Sequence, residues 1–158
     1  MIQVELPGGM TIRLNHLVSD FNGTLAVDGK LVEGVAQRLV QLAGSLSITV
    51  LTSDTVGTAA AELRELPVVF ERVPKGNAPG EEAEAKRAFI HSLDGVVFLG
   101  NGANDFGAVD ASTISIVVLG QEGAAGGTLM KASLVVTSPV DALDLLLHPL
   151  RLVCGLRR

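Results

Sequence analysis

Tryptophan and tyrosine are absent from this sequence, and phenylalanine occurs only five times. A core must then be assembled from Leu, Val, Ile and Ala, the composition of a buried parallel sheet, and few aromatics remain to stack on bases. Basic residues are scarce as well: 12 Lys plus Arg stand against 17 Asp plus Glu, for a formal net charge of -5. No basic run precedes the C-terminus, which argues against nucleic acid as a partner. The single Cys154 excludes an internal disulfide, and the N-terminus lacks the basic segment and apolar run of a signal peptide. Both point to a reducing cytoplasm. No apolar run reaches the ~20 residues of a bilayer-spanning helix, because Asp, Lys, Arg or Gly interrupts every candidate. His16, His91 and His148 lack ligand spacing, and no thiolate cluster argues for zinc.

What is present is a regular alternation. At 158 residues and 47% hydrophobic content, the chain fits one domain spanning 1–158. Ile2 to Leu6 and Met10 to Leu14 flank Pro7-Gly8-Gly9 and predict an N-terminal hairpin. An apolar strand through His16 to Ser19 ends at Asp20, and Ala26 to Leu31 contains Asp28-Gly29, the signal of a small flap. Val32 to Gly44 carries one apolar stripe at helical spacing, with Gly44 as its expected C-cap. Further strands are expected at Leu46 to Leu51, Val68 to Val73, Gly95 to Leu99, Ile114 to Leu119 and Leu134 to Thr137. Helices are expected through Ala59 to Leu66, Glu81 to Leu93, after Asp105 and from Pro139, with a Gly-rich loop at Gly120 to Gly127. This alternation predicts βαβ units, a mostly parallel sheet, and ligands outside the carboxyl ends of the strands.

Four polar stretches fall at those ends. Asp20-Phe21-Asn22-Gly23-Thr24 places a carboxylate beside backbone N–H groups that a glycine turn can aim at phosphate. Thr52-Ser53-Asp54 puts hydroxyls after a second strand, Lys86 sits on an acidic helix, and Gly100-Asn101-Gly102-Ala103-Asn104-Asp105 closes a later strand. Phosphoryl transfer to a carboxylate needs a nucleophile, donors to the phosphate oxygens, a cation to balance charge and a divalent metal. Asp20 is the candidate nucleophile. Gly23, Thr24, Thr52 and Ser53 are candidate phosphate donors, and Lys86 is the balancing cation. Asp20, the backbone carbonyl of Asn22, and Asp105 or Asn101 are candidate oxygen ligands for Mg²⁺, which favours such donors.

The order and content of these stretches resemble the haloacid dehalogenase-like (HAD) superfamily, and within it the small soluble P-type ATPase-like members. The resemblance covers Asp20 to Asp105. It implies a three-layer α/β/α Rossmann-like fold without a cap domain, an aspartyl-phosphate mechanism, Mg²⁺, and a small phosphorylated substrate. A site without a cap also implies shielding by another subunit, hence a homo-oligomer. Two positions depart from the family pattern. Asn22 replaces the residue that in the family's phosphatases protonates the leaving group and activates water, and Asn101 replaces a metal-binding Asp. The first substitution implies slow hydrolysis, because an amide has no titratable proton near neutral pH.

Competing readings accompany each residue. Lys86 beside Glu82 could be a solvated i, i+4 partner, with Lys75 as the rival phosphate-neutralising lysine. Asp54 reads more naturally as a helix cap than as a ligand. A dinucleotide fingerprint fails because Asp105 stands where its third glycine should be. The Leu- and Arg-rich segment from Leu145 to Arg158 reads as a tail that docks on the core. The functional alternative to a phosphohydrolase is a non-catalytic phosphate- or nucleotide-binding module whose two amides have removed hydrolysis.

Overall fold

The computed structural model describes residues 1–54 and 57–157. Arg158, part of the Leu- and Arg-rich terminus discussed above, lies outside them. Strands β1 (Ile2–Leu6) and β2 (Met10–Leu14) form the antiparallel hairpin that Pro7-Gly8-Gly9 signalled, with Ile2 opposite Leu14. β3 (His16–Ser19) leads into the flap, β4 (Ala26–Val27) paired antiparallel with β5 (Lys30–Leu31). The chain continues through α1 (Val35–Leu42), β6 (Ser47–Thr52), α2 (Ala59–Leu63), β7 (Val69–Arg72), α3 (Glu81–His91) and β8 (Val96–Gly100). It ends with α4 (Phe106–Ala111), β9 (Ile114–Val118), α5 (Gly126–Lys131), β10 (Leu134–Val136), α6 (Pro139–Leu147) and α7 (Pro149–Leu156).

Six strands make one parallel sheet in the order β10-β9-β8-β3-β6-β7. The strand that ends at Asp20 is therefore central, flanked by the strands that end at Thr52 and Gly100. Strand alternation sends side chains to opposite faces. Leu17, Val97, Leu99, Ile114 and Ile116 pack on one side with Val35, Leu39 and Leu63 of α1 and α2 and Leu143 and Leu146 of α6. Val18, Val96, Phe98 and Val117 pack on the other with Ile90 of α3 and Ala108 and Val109 of α4. Both faces are covered, which gives the three-layer α/β/α architecture and explains strands that read as continuous apolar runs.

One local expectation is corrected and two are sharpened. α1 stops at Leu42 with Ala43 as its cap in a right-handed conformation, and Gly44 does not cap it. The N–H groups of Ser45 and Leu46 both reach the Leu42 carbonyl, so the chain turns into β6 without needing a left-handed residue. The Gly-rich loop from Gly120 gives way at Gly126 to α5, whose opening glycines are poor helix formers and masked it. The C-terminal tail is a pair of helices, with Leu152 of α7 fully buried in the layer that also holds Ile2 and Val4.

The central strand should carry the stability. Leu17→Ala removes a fully buried side chain and is expected to cost about 2–5 kcal/mol. Val40→Ala, on the exposed side of α1, should stay within about 0.5 kcal/mol. Urea unfolding of both variants checks the contrast.

Candidate active site

β3 ends where its apolar pairing runs out, and Asp20 follows with its N–H donating to the Leu99 carbonyl of β8 at 2.9 Å. The Phe21 carbonyl then accepts from the N–H groups of Thr24, Leu25 and Ala26, winding a tight turn directly after the carboxylate. Gly23 sits in that turn at φ 75°, a backbone conformation that side chains rarely adopt, and a Cβ there would lie 2.4 Å from Asn101 Nδ2. Only glycine fits between the turn and its neighbour.

Lys86 reaches the same point from α3. Its side chain is completely buried, and Nζ lies 2.8 Å from Asp105, 3.1 Å from Asp20 and 3.6 Å from Glu82. Of the two lysines weighed from the sequence, the structure brings Lys86 to Asp20, whereas Lys75 is exposed in the loop before α3. The i, i+4 contact with Glu82 exists, yet it lies inside the protein rather than on a solvated face. Asn104 Nδ2 donates to the same Glu82 oxygen at 2.7 Å, adding a residue that the sequence reading did not single out.

Asp105, expected among the metal ligands, meets Lys86 and the loop after β8. One carboxylate oxygen accepts from Lys86, and the other accepts from the N–H groups of Asn101 and Gly102, each at 2.9 Å. With both oxygens engaged, Asp105 anchors the lysine and shapes the loop. A Cβ on Gly100 would approach the Asp105 carboxyl carbon to 2.7 Å, so glycine precedes this loop for lack of room. Asn101 is likewise occupied, with Oδ1 accepting from Thr24 Oγ1 and Nδ2 donating to the Gly123 carbonyl.

Thr52 ends β6 beside β3, buried, with its hydroxyl oxygen accepting from Asp54 N–H at 3.1 Å. Ser53 follows half-buried. Asp54 caps: its carboxylate accepts from the N–H groups of Gly57 and Ala59 at the start of α2, each at 3.1 Å.

Three carboxylates around one ammonium leave two negative charges in excess when all are ionised. Burial, followed by repulsion from Asp105, pushes the Asp20 carboxyl up to about 7 despite the pull of Lys86. Burial disfavours the charged lysine, but Asp105 and Asp20 outweigh it and hold the Lys86 ammonium above its ordinary range. Asn22 Oδ1 is buried and makes no hydrogen bond. Oxygen donors, surplus negative charge and an orphaned amide oxygen fit a small hard cation beside Asp20. Among the described residues no group of three His, Cys, Asp or Glu side chains is gathered that could hold a metal by itself. None of the described helices is long and apolar enough to cross a membrane.

This architecture is the fold of the HAD hydrolases. The 3-deoxy-D-manno-octulosonate 8-phosphate phosphatase of Moraxella catarrhalis, solved with magnesium, phosphate and sugar, superposes with a TM-score of 0.68 at 14% identity over 85% of this chain and 86% of that one. The cobalt-bound octulosonate phosphatase of Haemophilus influenzae gives 0.68 at 14% identity over 86% and 88%. A zinc-transporting P-type ATPase gives 0.58 at 23% identity, covering 80% of this chain and 20% of the ATPase. No protein-family model matches the chain. By sequence, the chain is 46% identical over 39 residues to protein MJ0072 of Methanocaldococcus jannaschii, covering 25% of this chain and 89% of that protein. It belongs to the same family as that archaeal protein, whose own role is uncharacterized. Protein MJ0073 of the same organism is 40% identical over 57 residues, 36% of this chain, and the match spans 61% of its length.

The raised Asp20 fixes a pH signature. A carboxyl whose folded pKa exceeds its unfolded value of 3.8 contributes stability that is complete below that value and lost as pH rises through about 7. In the presence of a chelator, Asp20→Asn should therefore be more stable than the wild type at pH 8, by on the order of a few kcal/mol. The gain should vanish near pH 4. Thermal unfolding at the two pH values checks this, and parallel curves would reject it.

Proposed function

We propose that the protein is a Mg²⁺-dependent phosphohydrolase that acts on small phosphomonoesters through a phosphorylated Asp20. The observation that carries the reading is the pairing of Asp20, at the end of the central strand, with a wholly buried Lys86 that Asp105 holds in place. Most of the carboxylate surface is shielded from bulk water, so a phosphoryl group presented there meets a positioned nucleophile and a fixed positive charge.

One Asp20 oxygen attacks phosphorus, the ester P–O bond breaks, and the alcohol leaves with a proton from solvent. Water then attacks phosphorus, orthophosphate departs, and the Asp20 carboxylate is regenerated. Lys86 keeps Asp20 oriented and balances the negative charge that builds on phosphate. The Thr52 hydroxyl donates to a phosphate oxygen, whereas the Gly23 and Thr24 N–H groups expected to do so are already given to the Ala26 and Phe21 carbonyls. Mg²⁺ would neutralise phosphate charge, held by Asp20 and Asn22. Support for magnesium comes from the donor set and from the M. catarrhalis phosphatase, whose structure holds that ion. Asn22 has no proton to exchange at neutral pH, so leaving-group protonation and water activation fall to solvent and both steps are slow.

Turnover of an aryl phosphate with saturating Mg²⁺ is the test. Asp20→Asn should abolish it, and undiminished activity in that variant would sink the proposal. Asn22→Asp should raise turnover by about 10²-fold or more, the contribution typical of a positioned acid–base group. A binding module without chemistry would stay inert in both.

A further inference from the structure

Position 101 is where the family resemblance expects a metal-binding carboxylate, and the amide found there is committed elsewhere. Asn101 Oδ1 accepts from Thr24 Oγ1 at 3.0 Å, Nδ2 donates to the Gly123 carbonyl at 3.1 Å, and the Asn101 carbonyl accepts from Ala125 N–H at 2.8 Å. The residue thus ties the turn after Asp20 to the segment between β9 and α5. An aspartate could keep the bond to Thr24. It could not keep the bond to Gly123, because a carboxylate has no N–H and would face a carbonyl oxygen instead.

The segment held in this way carries Glu122. Its Oε1 accepts from Asp28 N–H on the β4–β5 flap at 2.9 Å. Its Oε2 turns back over the turn after Asp20, where a Cβ built on Gly23 would stand 2.8 Å from Glu122 Oε2 and 2.4 Å from Asn101 Nδ2. Carboxylate and amide lie side by side over the residue that follows Asn22. In that same turn the Asn22 Oδ1 is buried without a donor, which is the independent sign of an oxygen placed for a cation.

We propose that Glu122 supplies the carboxylate missing at position 101, so that the charge has moved from the end of β8 to the neighbouring segment. There it serves, directly or through a water that Mg²⁺ retains, as a ligand to the divalent cation held by Asp20 and Asn22. The inference rests on the metal-dependent reading above, and it assigns Asn101 the part of a neutral tie that positions Glu122. It also explains why 101 must be an amide: a second carboxylate beside Glu122 would repel it.

Mn²⁺ binding to the full chain without substrate, followed by electron paramagnetic resonance, tests it independently of turnover. Glu122→Gln keeps an acceptor for Asp28 N–H, so the flap contact survives while the charge is lost. We expect affinity to fall about tenfold or more, and the double variant Glu122→Gln with Asn101→Asp to recover a large part of it. Unchanged affinity in Glu122→Gln, or no recovery in a folded double variant, overturns the relocation. A wild-type chain that binds no Mn²⁺ overturns the metal-dependent reading itself, a result distinguishable from both.

Discussion

A fully buried ammonium must be paired, and the site is arranged around that requirement. Leaving Lys86 unpartnered in the interior would cost several kcal/mol, and breaking a buried pair by removing one member typically costs about 3–5 kcal/mol. Asp105 meets the lysine at 2.8 Å and is itself fixed by two backbone N–H groups. The helix that carries Lys86, the loop after β8 and the end of β3 are thereby joined at one point. Burial is the main cause of the elevated Asp20, and the same network adds repulsion from Asp105 that the shared Lys86 does not cancel.

Topology places this point at the centre of the sheet's carboxyl edge. Because β3 lies between β6 and β8, Thr52, Asp20 and the Gly100–Asp105 stretch come together although they are far apart in sequence. Parallel strands leave polar residues on one edge, and the covering helices keep the opposite faces dry. Glu122 approaches the turn after Asp20 and accepts from Asp28 N–H on the short flap. The structure thus places a charged cluster at the sheet's carboxyl edge.

Much of this was legible in the sequence because strands buried on both faces write themselves as apolar runs. The hairpin, the six strands of the sheet and the position of Asp20 after Ser19 follow from pattern and turn chemistry. Lys86 was legible as a candidate from its place before the fourth stretch. Its burial was not, since Glu82 four residues earlier reads equally well as a surface pair. The contacts of Asp105 with Lys86 and of Asn101 with Thr24 and Gly123 were not legible, because spacing indicates which stretch a residue belongs to and not which atoms it faces. Glu122 left no signal at all: its role depends on a segment that folds back across the site, and the surrounding glycines read as loop. Gly126 and Gly127 hid the start of α5.

The central claim is that phosphate becomes covalently attached to Asp20. Acid quenching of the protein during turnover of an aryl phosphate with Mg²⁺, followed by peptide mass spectrometry, measures this directly. The account predicts a phosphorylated peptide spanning Leu17 to Leu25 with the modification on Asp20, accumulating because Asn22 leaves its hydrolysis slow. Turnover without any phosphorylated Asp20 peptide, or with phosphate on another residue, would contradict it.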